Sequence, residues 1–101
     1  MTEEESRMSV DTFLGIFALV RAGHDKGRTY LIIKEEGDFV YLADGKNRGQ
    51  DNPRKKRRKH VQVIKKRNEE LTGRLRSGKT IYNEEIRFAI RNLQSESEEV
   101  I

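Results

Sequence analysis

The sequence contains no cysteine, only two histidines and no long run of apolar residues. Without cysteine, neither a disulfide framework nor a thiolate zinc site is possible, while a reducing compartment is allowed. Two histidines without clustered carboxylates also argue against a metal site, and we expect no metal. The longest nearly unbroken apolar stretch, Phe13 to Val20, is far too short to cross a bilayer.

The opening residues, "MTEEES", are acidic and lack the basic and then apolar order of a signal peptide. We therefore expect a cytoplasmic protein that does not insert into membranes. A length of 101 residues fits one domain, and we expect a monomer. With 34% hydrophobic and 38% charged residues, its core must be small.

Charge is unevenly distributed along the chain. The formal net charge is +4, but four acidic residues precede residue 12 and three follow residue 93. Residues 12 to 93 keep 20 of the 21 basic and 10 of the 17 acidic residues, which leaves a net charge of +10. Such an excess suits a polyanionic partner such as a nucleic acid.

Four short segments rich in β-branched and aromatic residues predict strands: "GIFALV", "TYLIIK", "FVYLA" and "HVQVI". The segments between them carry turn chemistry, including the Asp-Gly pair of "ADGKN", which accepts positive φ in a tight hairpin. No pattern of helical length interrupts them. The sequence therefore predicts a mainly β fold, a small SH3-like barrel of antiparallel strands.

A helix is predicted near the C-terminus. Four apolar residues fall at the i, i+3, i+4, i+7 spacing of one helix face: Ile86, Ala89, Ile90 and Leu93. Thr80 or Asn83 can cap this helix. We divide the chain into an acidic flexible tail (1–11), the barrel (12–64), a basic linker with the helix (65–93) and a second acidic flexible tail (94–101).

The segment "GRLRSGKT", Gly73 to Thr80, matches the pattern of a phosphate-binding loop. Such a loop must follow a buried strand and open a helix, and no strand pattern precedes it. His24 beside Asp25 suggests a general base, but two adjacent residues in a polar turn are interpreted as solvated surface. No serine lies in a nucleophile-elbow pattern. We therefore expect no enzyme, no cofactor and no small-molecule substrate.

Six consecutive cations, Arg54 to Lys59, form the most informative segment. Adjacent like charges repel one another, so we interpret this run as a loop that contacts nucleic-acid phosphates. Three other interpretations stay open: a solvated loop without a partner, a nuclear import signal, and contact with an acidic membrane surface.

The order of residues from Leu14 to Ile64 resembles a KOW-motif domain, the RNA-binding SH3-like module of ribosomal proteins and transcription elongation factors. The likeness lies in "GIFALVRAGHDKGRTYLII", where Gly27 occupies the position of the motif's characteristic glycine. With "YLADGKNR" and "NPRKKRRKHVQVI", the sequence is similar to small bacterial KOW proteins that resemble archaeal and eukaryotic large-subunit ribosomal proteins.

The resemblance implies an RNA-binding protein, ribosome-associated and in contact with ribosomal RNA. The implied contacts lie in the first turn, the Asp-Gly turn and the basic run: Arg21, His24, Lys26, Arg28, Lys46, Arg48, Arg54, Lys55, Lys56, Arg57, Arg58, Lys59 and His60. The alternative is a transcription or protein-interaction KOW module that docks on a protein partner. Among the aromatic residues, we expect Phe17 and Phe39 in the core.

Overall fold

The structure is a computed structural model that describes residues 13–100, with side chains described for residues 13–94. The acidic tail predicted for residues 1–11 lies outside this range. The described chain forms five strands and two α-helices in the following order: β1 (Ile16–Val20), β2 (Thr29–Glu36), β3 (Phe39–Ala43), β4 (Arg54–Arg57), a 3₁₀ turn (Arg58–His60), β5 (Val61–Arg67), α1 (Glu69–Arg76) and α2 (Asn83–Val100).

The strands form one antiparallel sheet in the order β4-β3-β2-β1-β5. The 3₁₀ turn of three residues links the two edge strands, β4 and β5, so the sheet must curl on itself. The predicted mainly β, barrel-like fold with a C-terminal helix is confirmed. The predicted barrel boundary at residue 64 is three residues short, because β5 continues to Arg67 and pairs there with Ile16.

The sheet is buried on both faces. Successive side chains of a strand point to opposite faces, and β1 and β2 therefore contribute to two apolar clusters. The inner cluster fills the curl of the sheet and consists of Ala18, Val20, Tyr30, Ile32, Val40 and Leu42. The outer cluster joins the other face to the helices and consists of Phe17, Leu31, Ile33, Ala43, Leu71, Ile81, Ile86, Ala89 and Leu93. The predicted core position of Phe17 is correct.

Helix α1 was not predicted, because its segment is mostly charged. It begins at an ordinary N-cap: the Asn68 side chain accepts a hydrogen bond from the Leu71 amide at 2.9 Å, and Glu69 and Glu70 occupy the first turn. Leu71 and Thr72 are its buried residues. The linker predicted from residue 65 is therefore the end of β5, followed by a helix.

Helix α2 extends further than predicted. Its apolar face is the one read from the sequence, but the helix continues to Val100 instead of ending near residue 93. The glutamates and glutamine of this last segment are good helix formers, so an acidic composition does not end the helix. The segment from residue 94 to Val100, predicted as a tail, is therefore part of this helix. Within the described chain, neither α1 nor α2 is long and apolar enough to cross a membrane.

An ion pair fixes α2 against α1. Arg74 of α1 donates two hydrogen bonds to the Glu85 carboxylate, each 2.7 Å long, and a third to the Thr80 carbonyl. Glu85 also accepts from the Tyr82 amide at 2.9 Å. The hydrogen bonds from Arg74 lower the pKa of Glu85, and those to Glu85 raise the pKa of Arg74. The two parallel hydrogen bonds between Arg74 and Glu85 fix the orientation of α2 relative to α1.

We expect Glu85→Gln to lower the urea midpoint of unfolding at pH 7. Because the folded-state pKa of Glu85 lies below its ordinary value of 4.5, its contribution is present above that value and is lost as the pH falls through the folded pKa. The difference from the unmodified protein should therefore shrink from about pH 5 downward. Glu70→Gln is the control, since Glu70 is 79% exposed and 3.7 Å from Arg74. Equal effects of both changes would contradict the role of Glu85.

Gly15 lies in close contact with Thr72 of α1. Its φ is +78°, and a Cβ at this position would overlap the Oγ1 atom of Thr72. The Gly15 amide donates to the Ile32 carbonyl at 2.9 Å, and its carbonyl accepts from the Asn68 amide at 3.0 Å. Residue 15 therefore connects the start of β1 to both the sheet and α1, and only glycine fits there.

We expect Gly15→Ala to reduce the free energy of unfolding by about 2 to 3 kcal/mol, through the left-handed backbone and the overlap with Thr72. Gly73→Ala is the matched control in α1. A Cβ at Gly73 meets no atom within 4 Å, so alanine should stabilise the helix by about 0.5 to 1 kcal/mol. Urea unfolding measures both changes, and a neutral Gly15→Ala would refute the close approach.

Candidate nucleic-acid interface

The basic run is a strand and a turn, not the loop that the sequence predicted. Arg54 to Arg57 form the edge strand β4, which pairs with β3, and Arg58 to His60 form the 3₁₀ turn. The reason is geometric: an edge strand can carry charge on both sides when one side finds acceptors and the other faces solvent. The side chains of the run therefore alternate in direction.

Asp25 anchors the inward side of β4. This residue of the first turn is only 6% exposed, and the Arg54 Nε atom lies 2.8 Å from its Oδ2 atom. The Nε–H is not aligned for a hydrogen bond, so this contact is ionic; Arg54 Nη2 donates to Oδ1 at 3.5 Å. The Lys56 ammonium lies 4.0 Å from the same carboxylate and donates to the Ala22 carbonyl at 3.4 Å. The interpretation of Asp25 as solvated surface is wrong.

Arg58 is tied to the β2–β3 hairpin. Its Nε–H donates to the Gly37 carbonyl at 2.8 Å, and its Nη1 atom donates to Glu35 at 3.2 Å. Its guanidinium also lies 5.4 Å from the centre of the Phe13 ring. Arg54, Lys56 and Arg58 thus have structural partners, although the sequence assigned all three to RNA contact.

The other members of the run face outward. Lys55 and Arg57 both lie over the Phe39 ring, with their charged groups 4.3 and 5.0 Å from its centre. Phe39 is half-buried on the outer face of the sheet, so its predicted place in the core is wrong. Lys59 is exposed, and no described residue forms an ion pair with it. Arg57 has one weak partner, the exposed Asp38 at 3.8 Å.

Tyr41 continues this outer surface. Its hydroxyl donates to Glu36 at 2.8 Å, and Lys34 lies 5.1 Å from the centre of its ring. That hydrogen bond lowers the pKa of Glu36, with help from Lys34, and raises the pKa of Tyr41. The result is a surface of aromatic rings covered by cations, which we call the β3–β4 strip: Lys34, Phe39, Tyr41, Lys55 and Arg57. The sequence did not predict the aromatic members in this role.

The first turn presents its cations to solvent. His24, Lys26 and Arg28 are all exposed. Gly27 has a φ of +90° and donates to the Val20 carbonyl at 2.9 Å, which closes the turn as expected of its glycine. Arg21, just after β1, is exposed and donates to the Gln62 side chain.

His60 lies beside Arg21 at the end of the 3₁₀ turn. It is half-buried, and its carbonyl accepts the Arg21 amide hydrogen at 2.7 Å. The backbone of His60 therefore has a structural role in joining the 3₁₀ turn to β1.

The Asp-Gly turn is held by the Asp44 carboxylate. Its Oδ1 atom accepts hydrogen bonds from the amides of residues 46, 47 and 48 at 2.8 to 3.1 Å. Arg48 is half-buried and donates to the Asn52 carbonyl at 3.4 Å, whereas Lys46 is exposed. Of the two cations predicted here, Lys46 is therefore the accessible one.

Arg28 and Lys46 come together at a groove formed by the two turns and α2. The groove has a volume of about 560 Å³, and Arg87 and Arg91 of α2 line it as well. The sequence did not predict these two arginines as site residues, because helix arginines remote from a basic run carry no local signal. Of the predicted cations, Arg28 and Lys46 therefore lie at this α2 groove, Lys55 and Arg57 lie at the β3–β4 strip, and the others lie at neither.

The segment resembling a phosphate loop has a different geometry. Gly73 to Arg76 belong to α1, and the amides that follow return to its carbonyls, with Lys79 N–H donating to the Arg74 carbonyl at 2.8 Å. The segment is thus the C-terminal end of a helix, where the dipole is negative and repels phosphate. Gly78 supplies the turn that ends α1, with a φ of +73°.

No protein-family model matches this chain, and no curated protein matches its sequence. The likeness to KOW-motif domains therefore stays a prediction from the residues quoted above.

We expect Asp25→Asn to lower the free energy of unfolding by about 2 kcal/mol, because it leaves Arg54 and Lys56 without their counter-charge at a largely buried position. Amide hydrogens of β4 should exchange faster in this variant. Asp38→Asn is the control: its carboxylate is 82% exposed, so its loss should cost less than about 0.5 kcal/mol. If the two variants were equally stable, Asp25 would not be the anchor.

Proposed function

We propose that this protein binds structured RNA, with ribosomal RNA as the preferred partner, through the outward cations of β4 and of the turns. One observation carries the proposal. The six-cation run is part of the fold, and alternate members are held on Asp25 and Glu35 while Lys55, Arg57 and Lys59 face solvent. A fixed row of outward cations suits the regular charges of a phosphate backbone.

The aromatic rings of the β3–β4 strip position the cations. Lys55 and Arg57 are two residues apart on one strand, which places them roughly 6.6 Å apart along the chain. The Phe39 ring beneath them restricts their side chains, so that less entropy is lost when they meet phosphates. Such contacts give affinity and orientation, while selectivity comes from RNA shape and 2′-hydroxyl contacts.

The preference for ribosomal RNA rests on the resemblance to KOW proteins of the large ribosomal subunit, and the cytoplasmic location that we propose rests on the acidic opening residues. The exposure of His24, Lys26 and Arg28 in the first turn is compatible with the preference for ribosomal RNA, since that turn is the central element of the resemblance. We propose a monomer that acts by binding, without catalysis or cofactor.

The test is the paired change Lys55→Gln and Arg57→Gln. Both side chains face outward, so we expect the fold to persist while affinity for large-subunit ribosomal RNA falls at least tenfold near 0.1 M salt. The slope of log K against log salt should decrease by about one unit for each lost phosphate contact. Filter binding over a series of salt concentrations measures both quantities.

The matched control is Lys65→Gln with Lys66→Gln. It removes the same charge from β5, which pairs with β1, whereas β4 pairs with β3. A change in net charge alone would lower RNA affinity equally in the two double variants. We therefore expect the Lys55 and Arg57 variant to lose more RNA affinity than the Lys65 and Lys66 variant. Ribosomal RNA affinity that is unchanged by the Lys55 and Arg57 substitutions would exclude β4 from the mechanism. A partner whose binding is insensitive to salt would instead indicate a protein-docking module.

A further inference from the structure

The α2 groove brings together cations from three separate parts of the chain. Arg28 follows the first turn, Lys46 belongs to the Asp-Gly turn, and Arg87 and Arg91 project from α2. No side-chain hydrogen bond or ion pair links Arg28, Lys46 or Arg91 to another residue between 13 and 94. Arginine donors in a concave site suit phosphate oxygens, which accept paired hydrogen bonds from a guanidinium.

The walls of the groove are held by close contacts. Arg87 Nη1 donates to the Gly45 carbonyl at 2.5 Å, which joins α2 to the Asp-Gly turn. A Cβ on Gly45 would lie 2.5 Å from the Asn83 carbonyl oxygen, so only glycine permits this approach. The backbone walls of the groove and Arg87 are therefore held in place before a ligand arrives, while Arg28, Lys46 and Arg91 become ordered on binding.

One acid lines the groove and offsets only part of its positive charge. Asp44 lies among the lining residues, but its Oδ1 atom accepts three backbone hydrogen bonds within its own turn. Glu85, in the first turn of α2, is paired with Arg74. Four cations therefore face this cavity with one engaged carboxylate, and an anion is the complementary ligand.

We infer that the α2 groove binds a phosphodiester of the same RNA that contacts the β3–β4 strip. This inference rests on the proposed function. The strip lies beside the first residues of β3, and the groove lies beyond its last residue. One RNA that reaches both sites binds in two linked steps, the second of which is intramolecular. Helix α2 is then part of the RNA interface and not only a cover for the sheet.

The test uses Arg28→Gln with Arg91→Gln, two exposed residues whose replacement leaves the Arg87 contact intact. We expect RNA affinity to fall roughly tenfold near 0.1 M salt, with a smaller salt slope, beyond the effect of the Lys65 and Lys66 control. Thermal unfolding should not change. Amide resonances of Asn47 and Arg91 in the unmodified protein should shift when a ribosomal RNA hairpin is added.

Two failures are distinguishable. If the unmodified protein does not bind RNA, the proposed function itself is overturned. If it binds RNA and depends on Lys55 and Arg57, but the Arg28 and Arg91 changes match the control, the groove is not an RNA site. Static Asn47 and Arg91 resonances alongside shifting Lys55 and Arg57 resonances would overturn the inference in the same way.

Discussion

The ion pairs beneath β4 are the constraint on which the basic surface depends. The six cations from Arg54 to Lys59 repel one another, and the edge strand that holds the first four of them is stabilised by acidic side chains that face it. Asp25, in a turn 29 residues before Arg54, lies against both Arg54 and Lys56, and Glu35 receives Arg58. The same contacts hold the first turn against the edge of the sheet, so the turn and the basic strand form one structural unit.

The two-sided burial of the sheet decides which surface is left for a partner. Helices α1 and α2 cover the outer face over Phe17, Leu31 and Ile33, and the close approach of Gly15 to Thr72 fixes α1 there. The cover stops short of the outward side of β4, where Phe39 and Tyr41 lie beneath cations. The β3–β4 strip is thus the part of the outer face that the helices leave open.

Local pattern predicted the apolar strands and the face of α2, because each has a hydrophobic period that can be read directly. It did not predict β4, since alternation within "RKKR" cannot be seen when every residue carries the same charge. The roles of Asp25 and Arg87 depend on partners 29 and 42 residues distant, and no local window contains both members of either pair. The sequence therefore identified the basic residues, but it did not predict which of their side chains face solvent in the fold.

The contacts of the acidic residues show why the surface stays positively charged. Asp25 and Glu35 are used beneath the basic run, Glu85 pairs with Arg74, and Asp44 binds backbone amides. These carboxylates stabilise turns and helix contacts, and of the four only Asp44 lines a cationic site. Cations outnumber carboxylates at both sites: the β3–β4 strip has three cations beside Glu36 and Asp38, and the α2 groove has four cations beside Asp44. Two cationic sites on one small fold are consistent with the polyanionic partner that we propose, since linked contacts favour a polyanion over a single small anion.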